Sequence, residues 1–286
     1  MAEGRFKVAL AQMECVVGDK EANLAKMADM AREARREGAS LVVFPELSLT
    51  GYLCRDLLYG LAEPVPGPST ERLAEVAKEE DIYMVFGLPE KSRISGSILF
   101  NTAVLVGPEG LVGFYRKMHL PTHSVFEEKR YFRPGYGAEV FETRLGRVGI
   151  MICYDVFFPE VARLLRLRGA RLIVCISASP GVRRSFFEVL LSARALENTV
   201  YLAYVNLVGR EDGLQFWGGS RLIAPTGSLL VKARYDEEDL VVGEVDLADT
   251  DRAGVFLPML RDLRPELLEA IREALGGLDS LSPATA

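Results

Sequence analysis

The chain has 286 residues, of which 49% are hydrophobic and 26% charged, and its formal net charge is −6 at pH 7. This length and composition are sufficient for one large globular domain with a sizeable core. The negative charge and the lack of any Lys-rich or Arg-rich run argue against nucleic acid or an anionic membrane as the main partner.

The chain shows no targeting or metal-binding pattern. The amino terminus lacks the apolar core of a signal peptide, and no segment has about 18 consecutive apolar residues, so we expect a cytoplasmic protein. The 4 cysteines share no CxxC spacing and are expected to be free thiols. With only 2 histidines in the chain, a His-based zinc site or triad has few candidates, and we predict no metal.

The first half of the chain alternates between predicted strands and helices. Residues 6–13 predict a strand, 21–38 an amphipathic helix, and 41–46 a buried strand that ends on Glu46. Ser69 is expected to cap a helix that runs to Glu80, and residues 82–88 return as a strand. Two extended segments between residues 98 and 115 flank a turn at 107–110.

The second half repeats this alternation. Strands are predicted at 148–152, 172–177 and 200–208, helices at 159–169 and 183–198, and extended segments at 220–225 and 228–245. The two halves together predict two sheets packed face to face with helices outside. A short helix at 265–275 and a frayed end at 280–286 complete the chain, so we divide it into a domain at 1–264 and a helical tail at 265–286.

Cys153 lies on a predicted turn between a strand and a helix. The apolar run at 148–152 precedes it, and Pro159 begins the helix that follows. Such a turn brings a side chain to the carboxyl edge of a sheet, where α/β folds bind ligands and where helix amides favour a thiolate. A buried structural cysteine is the alternative interpretation.

Two charged residues occupy similar positions. Glu46 ends the strand at 41–46, and Lys117 directly follows an extended segment. A partly buried carboxylate has a raised pKa and is suited to act as a general base near neutral pH. The alternatives are a capping or ion-paired carboxylate for Glu46 and a surface charge for Lys117.

Four segments resemble the nitrilase superfamily of carbon–nitrogen hydrolases, and the resemblance extends from about residue 6 to residue 245. The segments are 44–52 (FPELSLTGY), 116–120 (RKMHL), 128–135 (EKRYFRPG) and 149–160 (GIMICYDVFFPE). The resemblance implies an α/β fold, a four-layer αββα sandwich of the nitrilase/carbon–nitrogen hydrolase type. Members of this superfamily usually assemble into homodimers or larger homo-oligomers through the outer helices.

The resemblance also implies an enzyme that hydrolyses amide bonds through a thioester. In that mechanism Cys153 is the nucleophile, Glu46 the base and Lys117 the cationic stabiliser, with the backbone N–H of Tyr154 as a second donor to the oxyanion. Glu128 is the second glutamate, which positions the substrate and Lys117, whereas the neighbouring Glu127 is expected to be a surface charge. No metal or organic cofactor is required.

Several segments resemble one branch more closely, the glutaminase portion of glutamine-dependent NAD synthetase. They are 46–59, 120–132, 177–180 and 204–220. The resemblance implies hydrolysis of glutamine, with the ammonia passed to a separate NAD synthetase subunit because this chain has no Gly-rich loop for ATP. Two residues depart from that branch: Tyr154 stands where it has glutamate, and His123 where it has tyrosine.

By the resemblance, five side chains border the substrate: Tyr52, His123, Tyr154, Ser179 and Arg184. Arg183 and Arg184 are candidates to bind a carboxylate, although a solvated start of a helix is an equal alternative. Tyr52 is similarly balanced between the pocket wall and the core. Trp217 is expected to serve in packing.

Three hypotheses for the function follow. The first is a glutaminase that supplies ammonia to a separate NAD synthetase subunit. The second is a free-standing aliphatic amidase, ω-amidase or N-carbamoyl hydrolase, which Tyr154 favours because Cys-Tyr-Asp is common in those enzymes. The third, from a different class, is a catalytically silent scaffold subunit.

Overall fold

The computed structural model describes residues 4–279, with side chains described up to residue 276. Its strands are β1 (Arg5–Gln12), β2 (Leu41–Val43), β3 (Tyr83–Lys91), β4 (Leu99–Gly107), β5 (Gly110–Arg116), β6 (Val140–Thr143), β7 (Gly146–Ile152), β8 (Leu172–Ser177), β9 (Tyr201–Asn206), β10 (Val208–Glu211), β11 (Leu214–Trp217), β12 (Arg221–Ile223), β13 (Leu229–Lys232) and β14 (Asp239–Asp246).

The helices lie mainly between the parallel strands and at the carboxyl end of the chain. They are α1 (Lys20–Arg36), α2 (Leu58–Leu61), α3 (Pro68–Glu79), α4 (Glu128–Tyr131), α5 (Pro159–Leu167), α6 (Arg184–Asn198), α7 (Ala248–Phe256) and α8 (Pro265–Asp279). None of the helices within residues 4–279 is long and apolar enough to cross a membrane.

Two six-stranded mixed sheets share one pattern of parallel and antiparallel neighbours. Their strand orders are β14-β1-β2-β3-β4-β5 and β13-β12-β9-β8-β7-β6. Each sheet has three adjacent parallel strands, β1-β2-β3 in the first and β7-β8-β9 in the second, with antiparallel strands on both sides. The two halves of the fold therefore repeat one architecture, although the sequence shows no short repeat.

The alternation of side chains along the strands produces four layers. In β1, Phe6, Val8 and Leu10 belong to the core that also contains the strands of the second sheet. Ala9 and Ala11, on the opposite face, pack with the buried faces of α1 and α3. Because successive residues of a strand point to opposite faces, one sheet serves two cores. The predicted four-layer αββα sandwich is confirmed.

Most predicted elements are confirmed, with differences at their ends. The strand at 41–46 ends at Val43, so Glu46 lies in the turn beyond it. Ser69 does not cap α3: Gly67 occupies the cap position, and the hydroxyl of Ser69 donates to Glu63 Oε1 at 2.9 Å. The extended segment at 200–208 divides into β9 and the first residue of β10.

The carboxyl-terminal helix is longer than predicted. The pattern predicts a helix at 265–275, and α8 extends to Asp279 with its described side chains exposed. The expected frayed end at 280–286 lies outside the described residues. The division of the chain after residue 264 stays a prediction.

Candidate active site

Four predicted site residues lie at the ends of strands or the start of a helix. Glu46 follows β2 by three residues, Lys117 directly follows β5, Cys153 directly follows β7, and Glu128 is the first residue of α4. All four are buried: Glu46 and Lys117 are 0% exposed, Glu128 4% and Cys153 5%. The structure therefore brings together residues that are up to 107 positions apart in the sequence.

Lys117 lies between the two glutamates. Its Nζ atom is 2.7 Å from Glu46 Oε1 and 2.6 Å from Glu128 Oε1. The hydroxyl of Tyr52 donates to the same Glu128 oxygen at 2.8 Å. Charge-assisted hydrogen bonds in a buried site are short and strong, so this network fixes the position of each carboxylate.

Two further donors hold Glu46. Asn101 Nδ2 donates to Oε1 at 2.7 Å, and the backbone N–H of Ala178 donates to Oε2 at 2.7 Å. Ala178 follows β8, so Glu46 of the first half is bound by the backbone of the second. The sequence interpretation missed Asn101, although an amide side chain inside the apolar strand at 99–107 is a signal for a buried polar role.

Two glycines allow the close approach of the segments that carry Glu46 and Lys117. A Cβ atom on Gly87 would lie 2.3 Å from Leu47 N and 2.9 Å from Glu46 Cα. A Cβ atom on Gly135 would lie 2.2 Å from the carbonyl oxygen of Arg116. Only glycine fits at either position without moving the backbone beside a site residue.

Cys153 has a strained backbone and a protonated thiol. Its φ angle is +46°, in the left-handed region that non-glycine residues rarely occupy, at a cost of about 1 to 3 kcal/mol. Burial raises the pKa of the thiol well above its ordinary value, and the charge of Glu46 adds to this effect while Lys117 opposes it. The side chain is therefore a thiol in the resting protein.

The charges of the network shift the pKa values of its members. Burial by itself would lower the pKa of Lys117, but the charges of Glu128 and Glu46 more than compensate, so the pKa rises and Lys117 remains an ammonium ion. Burial raises the pKa of Glu128 to about 7, against the opposing effect of Lys117. The single positive charge of Lys117 is therefore paired with the carboxyl groups of both Glu46 and Glu128.

A narrow pocket opens on Cys153. Its lining includes His123, Tyr154 and Ser179, three of the five predicted substrate contacts, together with Arg183 and the aromatic side chains Phe126, Phe157 and Phe187. The free volume of this pocket is small, about 10 Å³. The hydroxyl of Ser179 is buried and has no hydrogen-bond partner among the described residues, so it is available to a ligand.

Arg184 lies outside this pocket, and Arg183 lines it instead. Arg184 Nε is 3.3 Å from Glu188 Oε1, and its guanidinium group is 3.6 Å from the ring centre of Tyr235. Arg184 begins α6, so its side chain follows the outer surface of the helix, whereas Arg183 ends the preceding helical turn. Of the two predicted candidates for a carboxylate-binding residue, Arg183 therefore lies at the pocket and Arg184 does not.

Tyr52, the fifth predicted substrate contact, is not among the residues that line the pocket on Cys153. Besides its bond to Glu128, its ring makes edge contacts with Phe126 and Phe216. Tyr52 and Glu128 also line a second, wider cleft of about 610 Å³ beside α2 and α4. Glu127 is exposed and Trp217 is packed between Tyr204 and Tyr235, as the sequence predicts.

Comparison with known families gives a match over most of the chain. Residues 7–254 match the family model described as carbon-nitrogen hydrolase. The chain is 40% identical over 246 residues to a protein of Pyrococcus abyssi named nitrilase, covering 84% of this chain and 90% of that protein. It is 34% identical to the omega-amidase of Mus musculus, with 92% and 96% covered.

A third relative is longer than this chain. The glutamine-dependent NAD(+) synthetase of Aquifex aeolicus is 36% identical, and the match covers 86% of this chain but 43% of that protein. Among solved structures, an amidase from Nesterenkonia sp. superposes with a TM-score of 0.82 at 30% identity, covering 94% of this chain and 97% of the amidase.

Proposed function

The chain belongs to the carbon–nitrogen hydrolase family and is an amidase-type hydrolase of the nitrilase superfamily, and from this premise we propose that it hydrolyses the terminal amide of a short carboxylic acid at Cys153. The observation that carries this proposal is the buried network in which Lys117 contacts Glu46 at 2.7 Å and Glu128 at 2.6 Å beside the thiol.

In the first half-reaction, Cys153 Sγ forms a bond to the amide carbonyl carbon while Glu46 accepts the thiol proton. Because the thiol is protonated at rest, this transfer accompanies the attack. Lys117 and the backbone N–H of Tyr154 stabilise the oxyanion, and each preorganised donor lowers the barrier by roughly 3 to 4 kcal/mol. The C–N bond then breaks, and Glu46 returns the proton to the departing ammonia.

In the second half-reaction, water hydrolyses the thioester. Glu46 takes a proton from the water as its oxygen bonds to the acyl carbon, and the C–S bond breaks. The carboxylic acid leaves, and Cys153 recovers its proton. Glu128 keeps Lys117 in place through both steps, and Tyr52 fixes Glu128 with its hydrogen bond of 2.8 Å.

The wall of the pocket supports a substrate that carries a carboxylate. The Arg183 guanidinium carbon lies 5.9 Å from the ring centres of Phe126 and Phe186, and no acidic side chain among those described, up to residue 276, pairs with it. An unpaired guanidinium in a pocket attracts a carboxylate, and Ser179 offers a free hydroxyl nearby. His123 and Tyr154 then form the aromatic wall around the short carbon chain.

An ω-amidase is the form of this function that the comparisons favour. The match covers 96% of the omega-amidase relative but 43% of the NAD synthetase relative. Glutamine is itself a terminal amide of this kind. The second candidate is therefore a glutaminase that supplies ammonia to a separate NAD synthetase subunit, which the 36% identity to such a synthetase supports.

Two further expectations belong with the proposed function. The outer faces of α5 and α6 expose apolar side chains, which supports assembly into a homodimer or larger homo-oligomer; these are Leu164, Leu167, Phe186, Val189 and Leu196. The cytoplasmic location stays a prediction of the sequence. The four cysteines are free and buried in the structure.

Ammonia release from a panel of substrates tests the proposed function. The panel contains ω-amides of dicarboxylates, L-glutamine, short aliphatic amides and N-carbamoyl amino acids, with Cys153→Ala as the blank. We expect turnover of ω-amides that carry a free carboxylate and none by the blank. Glutamine turnover only in the presence of an NAD synthetase subunit favours the second candidate, and carbon dioxide released with ammonia identifies an N-carbamoyl substrate. Activity that survives in Cys153→Ala contradicts the mechanism.

A further inference from the structure

Asp155 is a buried carboxylate beside the site that none of the proposed chemical steps uses. It lies two residues after Cys153 and is 0% exposed. Its Oδ1 atom accepts hydrogen bonds from the backbone N–H of His119 at 3.0 Å and from His119 Nδ1 at 2.8 Å. Its Oδ2 atom accepts from the hydroxyl of Tyr115 at 2.8 Å and from the backbone N–H of Ile152 at 3.0 Å.

These four donors come from two separate segments of the chain. Tyr115 and His119 flank Lys117 on either side, and Ile152 directly precedes Cys153. One carboxylate group therefore connects the segment that carries the cation with the turn that carries the thiol. The connection is independent of the Glu46 and Glu128 side chains, which hold Lys117 only through its Nζ atom.

A carboxylate is the side chain that this position requires. An ionised carboxyl group only accepts hydrogen bonds and has about four acceptor positions, all of which are used here. Two of the donors are backbone N–H groups, which cannot reverse direction. An asparagine would have to turn its NH₂ group towards at least one of them, and a buried donor without an acceptor would result.

The neighbouring turn needs such an anchor. Cys153 has a φ angle of +46°, and strained backbone persists only where surrounding contacts determine it. The hydrogen bond from the backbone N–H of Ile152 to Asp155 Oδ2 spans Cys153 and closes the turn at the end of β7. Loss of this bond would allow the thiol to move relative to Lys117.

His119 extends the connection to the wall of the pocket. Because the carboxylate of Asp155 can only accept a hydrogen bond, Nδ1 of the His119 ring carries the proton in the bond between them. The ring stacks on Phe158 with 3.6 Å between centres and an angle of 10°, and Phe158 makes an edge contact with Tyr154 at 5.3 Å. His119, one of the two histidines of the chain, thus contacts both the carboxylate and an aromatic side chain that supports the pocket.

We propose that Asp155, assisted by Tyr115 and His119, is a positioning residue that fixes the distance between Lys117 and Cys153. This inference rests on the proposed function, in which Cys153 is the nucleophile and Lys117 stabilises the oxyanion. Asp155 takes no chemical step itself: through its four hydrogen bonds it holds Lys117 in place relative to Cys153. Its removal is expected to affect the chemical step rather than substrate affinity.

Kinetics of three variants test this proposal. We expect Asp155→Asn to lower kcat on the order of 100-fold with little change in KM, the loss that a misplacement of about 1 Å produces. Tyr115→Phe, which removes one oxygen and keeps the ring, is expected to lower kcat on the order of 10-fold. The matched control is Tyr83→Phe, because Tyr83 is equally buried and lies away from the site. Its hydroxyl donates a hydrogen bond of 2.7 Å to Glu109.

Two further measurements separate positioning from a loss of fold. The rate of Cys153 alkylation by iodoacetamide should fall in Asp155→Asn and Tyr115→Phe but not in Tyr83→Phe. His119→Asn keeps an N–H donor near the position of Nδ1 and should retain more of kcat than His119→Ala.

Several results would overturn the proposal. Tyr115→Phe with wild-type kcat and alkylation rate would do so, as would a change confined to KM, or equal loss in Tyr83→Phe and Tyr115→Phe. If Cys153→Ala keeps its activity, the proposed function fails first. If Cys153→Ala is inactive and Tyr115→Phe is normal, only the positioning role fails.

Discussion

At the scale of single residues, the site is defined by an imbalance of charge. Glu46 and Glu128 share the ammonium group of Lys117, and Cys153 is close enough for all three charges to shift its pKa. A thiolate in the resting protein would add another negative charge to this buried space. The proposed mechanism therefore forms the thiolate only as Glu46 takes its proton during attack on the substrate.

The raised pKa of Glu128 predicts how stability depends on pH. Burial raises this pKa from an ordinary value of 4.5 to about 7, so the folded state holds the proton more tightly than the unfolded state. The resulting contribution to stability is complete below about pH 4.5 and is lost as the pH rises through about 7. Glu128→Gln removes this ionisation but keeps an oxygen that accepts from Lys117 and Tyr52.

We therefore expect Glu128→Gln to gain stability relative to the wild type as the pH rises. Between pH 5 and pH 8 the gain in the free energy of unfolding should be on the order of 1 to 3 kcal/mol, measured by urea denaturation. Its activity should fall, because Lys117 loses a counter-ion. Glu127→Gln, at the exposed neighbour, is the control. A stability difference that is the same at both pH values would contradict the assigned shift.

At the scale of secondary structure elements, the turn after β2 depends on a glycine in β3. The closest contacts of a Cβ atom on Gly87 would be backbone atoms of Glu46 and Leu47, at 2.9 and 2.3 Å. These atoms cannot rotate away as a side chain can. We expect Gly87→Ala to move the turn, to destabilise the fold by about 1 to 3 kcal/mol, and to lower kcat on the order of 100-fold.

Thermal denaturation and steady-state kinetics check the Gly87→Ala prediction. The control is Gly254→Ala in α7, where a Cβ atom would meet nothing within 4 Å. That substitution should leave kcat unchanged and stabilise the helix by up to about 1 kcal/mol. Wild-type kcat in Gly87→Ala would show that the turn does not depend on this close approach.

The sequence predicts the elements that carry local signals and misses those that do not. The buried strands and amphipathic helices have clear hydrophobic periods, so β1, α1 and β7 are found within a few residues. The hairpin of β10 and β11, the strand β6 and the helix α7 were missed. In β11, for example, apolar Phe216 and Trp217 adjoin each other, so the strand shows no alternation, and Phe216 packs against Tyr52 of the first half.

The same distinction applies to the site. Glu46, Lys117, Glu128 and Cys153 belong to motifs that a reader of the sequence can match, and the structure brings them into one network. Asn101, the N–H of Ala178 and Asp155 act through contacts between distant segments. Arg183 and Arg184 differ only in the direction of their side chains, which depends on the residue where α6 begins. No local pattern contains that information.

At the scale of the whole molecule, the outer surface of α5 and α6 predicts self-association. Phe186, Val189 and Leu196 follow one face of α6 at helical spacing, and Val189 is 68% exposed. Apolar stripes of this kind usually lie in interfaces. We expect the wild type to be a dimer or larger oligomer in light scattering, and Val189→Glu to shift it towards the monomer.

The control for this prediction is Val255→Glu in α7, where a valine that is 78% exposed lies outside α5 and α6. It should leave the oligomer intact. A monomeric wild type, or equal dissociation by both substitutions, would contradict an interface at these two helices.

The proposal for the whole molecule is hydrolysis through a thioester on Cys153, and mass spectrometry of the acid-quenched protein during turnover tests it most directly. With a substrate from the ammonia panel that is turned over, we expect the chain to gain the mass of the acyl group. After digestion, that mass should be on the peptide that contains Cys153, and Cys153→Ala should show neither adduct nor turnover. Turnover by Cys153→Ala, or an acyl group found only on another residue, would contradict the account.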